Sequence, residues 1–173
     1  MKRKAKSGVN RCWPLCLIAI WVSCATQRHL VLEPVGPRSA SGSNRLALAG
    51  SGFLKVYSAT ETRHVGKFND YYPHTAYLIY NTNGNVLQWV QNSVASIDEA
   101  PALVRLPAGL YSILAQDDDY GRVSVPIVIE GGETTSVHLE NRRLPSREQL
   151  NASNSVSLPN GRIVGRRARV ASP

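Results

Sequence analysis

Between residues 52 and 140 the apolar positions come in short runs with a period near two, broken by turn residues every eight to twelve positions. Phe53 to Ala59 alternates: Leu54, Val56 and Ser58 fall on one face, and Phe53, Lys55, Tyr57 and Ala59 on the other. Ala76-Tyr77-Leu78-Ile79-Tyr80 and Val86-Leu87-Gln88-Trp89-Val90 are rich in the β-branched and aromatic residues that fit a pleated surface. Asn81 to Asn85 lies between them, and its Asn83-Gly84 pair predicts a hairpin, because both residues tolerate positive φ. Leu103–Leu106 and Leu110–Ala115 flank a second turn, Pro107-Ala108-Gly109. Val123 to Ile129 predicts a strand whose Pro126 lacks a donor, which points to a sheet edge or a bulge there. Gly131-Gly132 then turns the chain into Thr134 to Leu139. No window keeps a 3.6-residue apolar period. The pattern predicts an all-β protein, a single small antiparallel β-sandwich, with a core that includes Tyr111, Ile113, Val125, Ile127 and Val137.

Outside that block the composition shifts. Residues 24–51 read as a linker, with Pro34, Gly36, Pro37, Ser39, Ser41, Gly42 and Ser43 and no aromatic residue; Leu46-Ala47-Leu48 is a brief apolar interruption. Residues 141–173 read as a basic disordered tail, rich in Arg, Asn, Ser and Pro and without aromatics. The formal charge of +8 divides unevenly. Residues 1–23 hold five of the twenty Lys and Arg and no acid, and residues 141–173 carry a net of +6. Residues 24–140 hold eight bases and eleven acids, a net of −3. A mildly acidic folded part does not describe a nucleic-acid-binding domain, so no nucleic-acid partner is expected. Any role of the tail is expected to be electrostatic, through Arg162, Arg166, Arg167 and Arg169 on an anionic lipid or polymer.

Residues 1–23 have the layout of an export signal: a basic stretch of Lys2, Arg3, Lys4, Lys6 and Arg11, then an apolar run from Trp13 to Val22 that is too short to span a bilayer as a mature helix. Trp21-Val22-Ser23-Cys24 resembles a bacterial lipoprotein signal. The resemblance implies lipid attachment at Cys24, a membrane partner and a place in the cell envelope. An ordinary signal peptide cut after Ala25 and an uncleaved anchor are the other readings of the same residues. The cysteines are Cys12, Cys16 and Cys24, so the chain after residue 24 holds no thiol and no disulfide stabilises it.

A second resemblance rests on the β block. Leu106-Pro107-Ala108-Gly109-Leu110-Tyr111-Ser112-Ile113-Leu114-Ala115 is similar to a hairpin of carboxypeptidase regulatory-like, transthyretin-like domains. Val123–Ile129, Gly132, Thr134-Thr135 and Val137-His138-Leu139 resemble the ending of the same group. The resemblance implies a prealbumin-like or Ig-like sandwich over residues 52–140, serving as an accessory, adhesive or binding module rather than as a peptidase.

Chemistry-bearing residues cluster in two places. His64, Asn69, Asp70, Tyr71, Tyr72 and His74 lie in the longest stretch between strands and are the ligand-binding candidates, because loop tyrosines offer rigid amphipathic contact area. Asp117-Asp118-Asp119 is a weak Ca²⁺ candidate; its spacing is not the alternating one that turns oxygens inward, and solvated loop acids are the simpler reading. The four histidines, His29, His64, His74 and His138, show no ligand spacing, and His138, between Val137 and Leu139, should face solvent or a sheet neighbour. No G-x-S-x-G motif and no nucleophilic constellation is present. The expectation is a non-catalytic envelope lipoprotein module without cofactor, holding a protein or carbohydrate partner. The rival expectations are a small metal-dependent hydrolase built on His64, Asp70, His74 and the aspartate loop, and an assembly component docked by its tail.

Overall fold

The computed structural model describes residues 29–37, 50–67, 69–93, 95, 97–142 and 154–168. Every regular element in them is a strand. In chain order these are β1 (Leu30–Val31), β2 (Val35–Gly36), β3 (Ser51–Tyr57), β4 (Arg63–Val65), β5 (Asn69–Tyr71), β6 (Tyr77–Tyr80), β7 (Val86–Val90), β8 (Leu103–Pro107), β9 (Gly109–Asp117), β10 (Gly121–Ile129), β11 (Thr134–His138), β12 (Ser155–Ser157) and β13 (Ile163–Arg167). The larger sheet runs β12-β13-β2-β10-β9-β6-β7, with β1 also on β10; the smaller runs β11-β3-β8; β4 and β5 pair as a separate hairpin. Among the described residues no helix is long and apolar enough to cross a membrane.

The two main sheets form the expected sandwich, and the alternation read from the sequence selects its inner faces. Leu54 and Val56 of β3 and Val137 of β11 are fully buried against Ile79, Ile113, Val125 and Ile127 of the larger sheet, in one continuous core. Ile79, Ile113 and Val125 stand opposite one another across β6, β9 and β10, so they share a face. Of the core residues expected, Ile113, Val125, Ile127 and Val137 are buried, and Tyr111 packs half-buried against them. Most pairings are antiparallel, but β11 lies parallel to β3, and β1 and β2 lie parallel to β10.

Pro126 is not at an edge. It sits inside the nine-residue ladder of β9 and β10, opposite Ser112. On its other side β10 meets β1 at Val123 and Ser124 and β2 at Ile127. The Ser124 carbonyl accepts the Leu32 N–H (3.0 Å) from that side, and backbone groups two residues apart point the same way. The missing N–H of Pro126 therefore falls in the gap between β1 and β2, where it leaves no ladder partner unserved.

The turn between β6 and β7 also differs in detail. Within the turn only Gly84 has positive φ (77°), and among the described residues none other than glycine does. Asn81 closes the turn instead: its Oδ1 accepts the N–H groups of Asn83 (3.0 Å) and Asn85 (2.9 Å), and Gly84 N–H donates to its carbonyl (3.0 Å). This is a turn followed by a left-handed glycine, with a bulge in the ladder beside Tyr80.

Two boundaries move. The stretch read as a linker contributes β1 and β2, and Val35 within it is fully buried. The stretch read as a disordered tail contributes β12 and β13, with Val156, Leu158 and Val164 in the core. Arg166 and Arg167 pair with Gly36 and Val35, so β13 extends the larger sheet across a gap of about 130 residues in sequence. Gly165 permits this approach, since a Cβ there would lie 2.7 Å from Val35 Cγ1 and 2.8 Å from the Ser136 carbonyl oxygen. The short, separated apolar residues of these segments lack a period because each strand is only two to five residues long.

Candidate functional site

The six residues singled out between Thr60 and Thr75 are divided by the fold. His64 and Asp70 stand opposite one another on the β4–β5 hairpin, with Nδ1 and Oδ1 2.6 Å apart and both side chains largely in water. Asn69, opposite Val65, is exposed. Tyr71 is half-buried and pairs with Arg63. Tyr72 is engaged in the protein itself: its N–H donates to Glu99 Oε1 (3.0 Å), and the Arg142 guanidinium lies over its ring, 3.2 Å from the centroid. His74 is buried. They do not converge on one site.

His74 belongs to an internal polar layer. Its Nδ1 lies 2.7 Å from the Ser58 carbonyl, which only accepts, so Nδ1 carries a proton and Nε2 faces Glu140 Oε2 at 3.8 Å. Ser58 Oγ donates to the Thr75 carbonyl (2.7 Å), and Asn92 Nδ2 donates to the Val56 carbonyl (2.7 Å) and Ser58 Oγ (3.0 Å). The Ala102 N–H donates to Asn92 Oδ1 (3.0 Å). Tyr57 stacks on His138, its neighbour across the ladder, with ring centroids 4.3 Å apart, and meets His74 edge-on. His138 thus has the sheet neighbour its alternation implied. Buried polar groups this fully joined position a rim; they are not free to hold a ligand.

The aspartate loop is neither a cation cradle nor a merely solvated turn. Asp117 is buried, and its Oδ1 accepts the N–H groups of Asp119 (2.8 Å) and Tyr120 (3.0 Å). Its Oδ2 accepts from Arg162 Nη2, which also lies 3.4 Å from Asp119 Oδ2. Asp118 accepts the N–H groups of Thr60 (3.2 Å) and Asn141 (2.7 Å), and Asp119 accepts from the side-chain amides of Asn141 (2.9 Å) and Asn160 (3.2 Å). Asp117 and Asp119 fasten the β12–β13 hairpin to the end of the sandwich through Arg162 and Asn160, while Asp118 ties residues 60 and 141 to the same loop. Among the described residues no three His, Cys, Asp or Glu side chains form a group able to hold a metal ion.

Among the described residues, basic side chains of the C-terminal segment are also engaged. Arg162 is almost wholly buried in its ion pair, Arg167 pairs with Glu33 Oε2 (2.6 Å), and Arg166 is half-buried and partnered. Cys24 and Arg169 lie outside the described residues.

What remains unpartnered is an outer face. Trp89, Leu78, Leu114, Ser124 and Val31 stand side by side across β7, β6, β9, β10 and β1, on the face turned away from the core. Trp89 at one end is 59 % exposed and Val31 at the other 67 %. Leu110, Val86 and Leu87 are also exposed. Trp89 stands on β7, the last strand of the sheet, and borders two hollows. One, of about 380 Å³, is walled by Glu61, Arg63, Thr75, Ala76, Gln91 and Asn92 as well as His74. The other, of about 200 Å³, is walled by Leu78, Leu114, Gln116 and Arg122. A third shallow hollow, of about 470 Å³, follows on the same face beside Tyr80, Leu110 and Leu114.

Of the residues expected to bind, only His74 borders the first hollow, from beneath. Trp89, Gln91, Glu61 and Arg63 were not singled out. A signal for Trp89 was present: it alternates with the inward Val90, and it is the one tryptophan after residue 21. Compared with known protein families, curated proteins and solved structures, the chain matches none.

Proposed function

We propose that this protein is an exported, non-catalytic binding module, held at a membrane through Cys24, that engages a component of the cell envelope with the Trp89 edge of its larger sheet. The observation that carries the reading is Trp89: a large aromatic side chain left 59 % exposed at the border of two adjoining hollows. Exposed apolar faces of this kind, rimmed by polar groups, mark contact surfaces, and tryptophan is enriched at the residues that dominate binding energy. The hydrolase alternative has less support. His64 and Asp70 are alone in solvent, His74 is tied to Ser58 and faces Glu140, and the three loop aspartates are occupied by protein donors. The tail-docking alternative has less support, because Arg162 and Arg166 are engaged within the protein; Arg167 pairs with Glu33 at the surface.

Export and anchoring rest on residues 1–24. Several acyl chains at Cys24 would hold the protein firmly, since each buried CH₂ contributes about 0.8 kcal/mol. The test has two arms. Cys24→Ala should move the protein from the membrane fraction to the soluble fraction; a wild type that is already soluble and begins at Thr26 overturns the anchor. Purified full-length protein should co-sediment with delipidated envelope material, and Trp89→Ala should lose this while Arg105→Ala, an exposed change on the other sheet, should not. Equal co-sedimentation of all three overturns the proposed surface.

A further inference from the structure

The chemistry around Trp89 is more specific than an apolar patch, and it names a ligand class. A pyranose ring with all its substituents equatorial has two faces made of axial C–H groups and a perimeter made of hydroxyls. It requires one flat apolar surface and, at the edge of that surface, planar groups that both donate and accept. The first hollow supplies both. The indole of Trp89 offers the flat surface, since an aromatic side chain gives large contact area with little conformational freedom to lose. Around it stand the Gln91 amide, the Arg63 guanidinium and the Glu61 carboxylate, all exposed. Arg63 Nη2 lies 3.0 Å from Glu61 Oε2, and an exposed pair of this kind contributes little to folding, so both groups remain open to a ligand. On the wall, Thr75 Oγ1 is buried and meets no protein partner. The rim is rigid from below, because Asn92 and His74 are fixed to Ser58 and to the backbone of β3 and of residues 58 and 102.

Two further features narrow the class. In the first hollow the rim charges cancel, Arg63 against Glu61, which matches a neutral ring on Trp89; Arg122 stands on the wall of the second hollow as a further donor for hydroxyls. The second hollow continues past Trp89 and Ala76 along the sheet face toward Leu78 and Leu114, so the surface extends beyond a single ring. We propose that the groove formed by Trp89, Gln91, Arg63, Glu61 and Thr75 binds a neutral, β-linked, all-equatorial oligosaccharide, with one pyranose stacked on Trp89 and its hydroxyls held by the Gln91, Arg63 and Glu61 side chains. The inference rests on the contact surface proposed above and adds the identity of what it holds.

The test is calorimetric titration of the full-length protein with three tetrasaccharides. Cellotetraose and chitotetraose are both β-linked and equatorial and differ by the N-acetyl group, which separates a glucan from an amino-sugar polymer as the source. Maltotetraose is α-linked, and its curved chain does not present successive flat faces. At least one of the first two should bind, and maltotetraose should bind at least tenfold more weakly. Trp89→Ala should weaken binding roughly tenfold or more, as loss of a dominant contact does. Gln91→Ala should weaken it severalfold. Trp89 is exposed, so the alanine variant should keep the wild-type melting curve; Trp89→Tyr, which keeps a flat ring, should retain most of the affinity. If neither β-linked tetrasaccharide binds while Trp89→Ala still abolishes co-sedimentation, the saccharide inference is wrong and the contact surface stands. If a tetrasaccharide binds and Trp89→Ala changes neither its affinity nor co-sedimentation, both are wrong.

Discussion

Tyr77 is the largest fully buried side chain among the described residues, and its hydroxyl meets no partner among them. A buried hydroxyl without a hydrogen bond costs on the order of 1–3 kcal/mol, while the ring itself packs against the core. Tyr77→Phe is therefore expected to leave stability at pH 7 unchanged or raise it by about 1 kcal/mol, measured by urea unfolding. Burial also pushes the phenol well above its ordinary value of 10.0. The folded state then keeps the proton where the unfolded chain releases it. Stability from this group is intact below pH 10 and falls as pH rises beyond it. The wild type should lose more stability between pH 9 and pH 11 than Tyr77→Phe; equal losses would show that the hydroxyl is solvated. Ile113, fully buried at the centre of the inner row, is the ordinary case: Ile113→Ala should cost roughly 2–5 kcal/mol. Alternation made Ile113 legible as core. It could not reveal Asp117, because a carboxylate is buried only where a partner is supplied, and Arg162 comes from 45 residues further along the chain.

Among the elements, the β12–β13 hairpin carries the largest consequence. It covers Val35, places Val156, Leu158 and Val164 in the core, and is fastened by Arg162 to Asp117. Each of those three side chains contributes about 1.5–3 kcal/mol on burial. A chain ending at residue 143 should therefore lose on the order of 5 kcal/mol, enough to lower the melting temperature by more than about 10 °C or to unfold the domain. An unchanged melting temperature would mean that the hairpin does not dock. Arg162→Ala alone leaves Asp117 buried without its charge partner and should cost about 3–5 kcal/mol. The sequence between residues 52 and 140 disclosed its longer strands, β3 and β6 to β11, through a period of two, but not the three-residue β4 and β5. β1, β2 and β12 stayed hidden because a strand of two or three residues shows no period, and β13 because its inward Val164 and Gly165 break alternation; what makes them strands is the exposed edge of β10 and β2 waiting for them. The aspartate loop was misread for a related reason: its donors come from residues 60, 141, 160 and 162, which only the fold gathers.

At the scale of the whole molecule the polar groups sort into two populations. Those at the end of the sandwich near Asp117 and beneath His74 are consumed in holding the fold together. The exposed side chains of Gln91, Arg63 and Glu61 beside Trp89 carry little of that duty. The sandwich class was readable from alternation, but the position of the contact surface was not. It depends on which outer face brings an aromatic ring together with hollows and exposed polar groups, and no local pattern specifies that. The loop rich in tyrosine and histidine drew attention because its composition suits binding, yet the fold spends Tyr72 and His74 internally and leaves the neighbouring strand β7 as the open edge. Hydrogen exchange of the full-length protein, free and bound to envelope material, tests this assignment most directly. Added protection should be confined to residues 86–91, 61–63 and 75–76. Protection centred on residues 64–71, with none across β7, would contradict it.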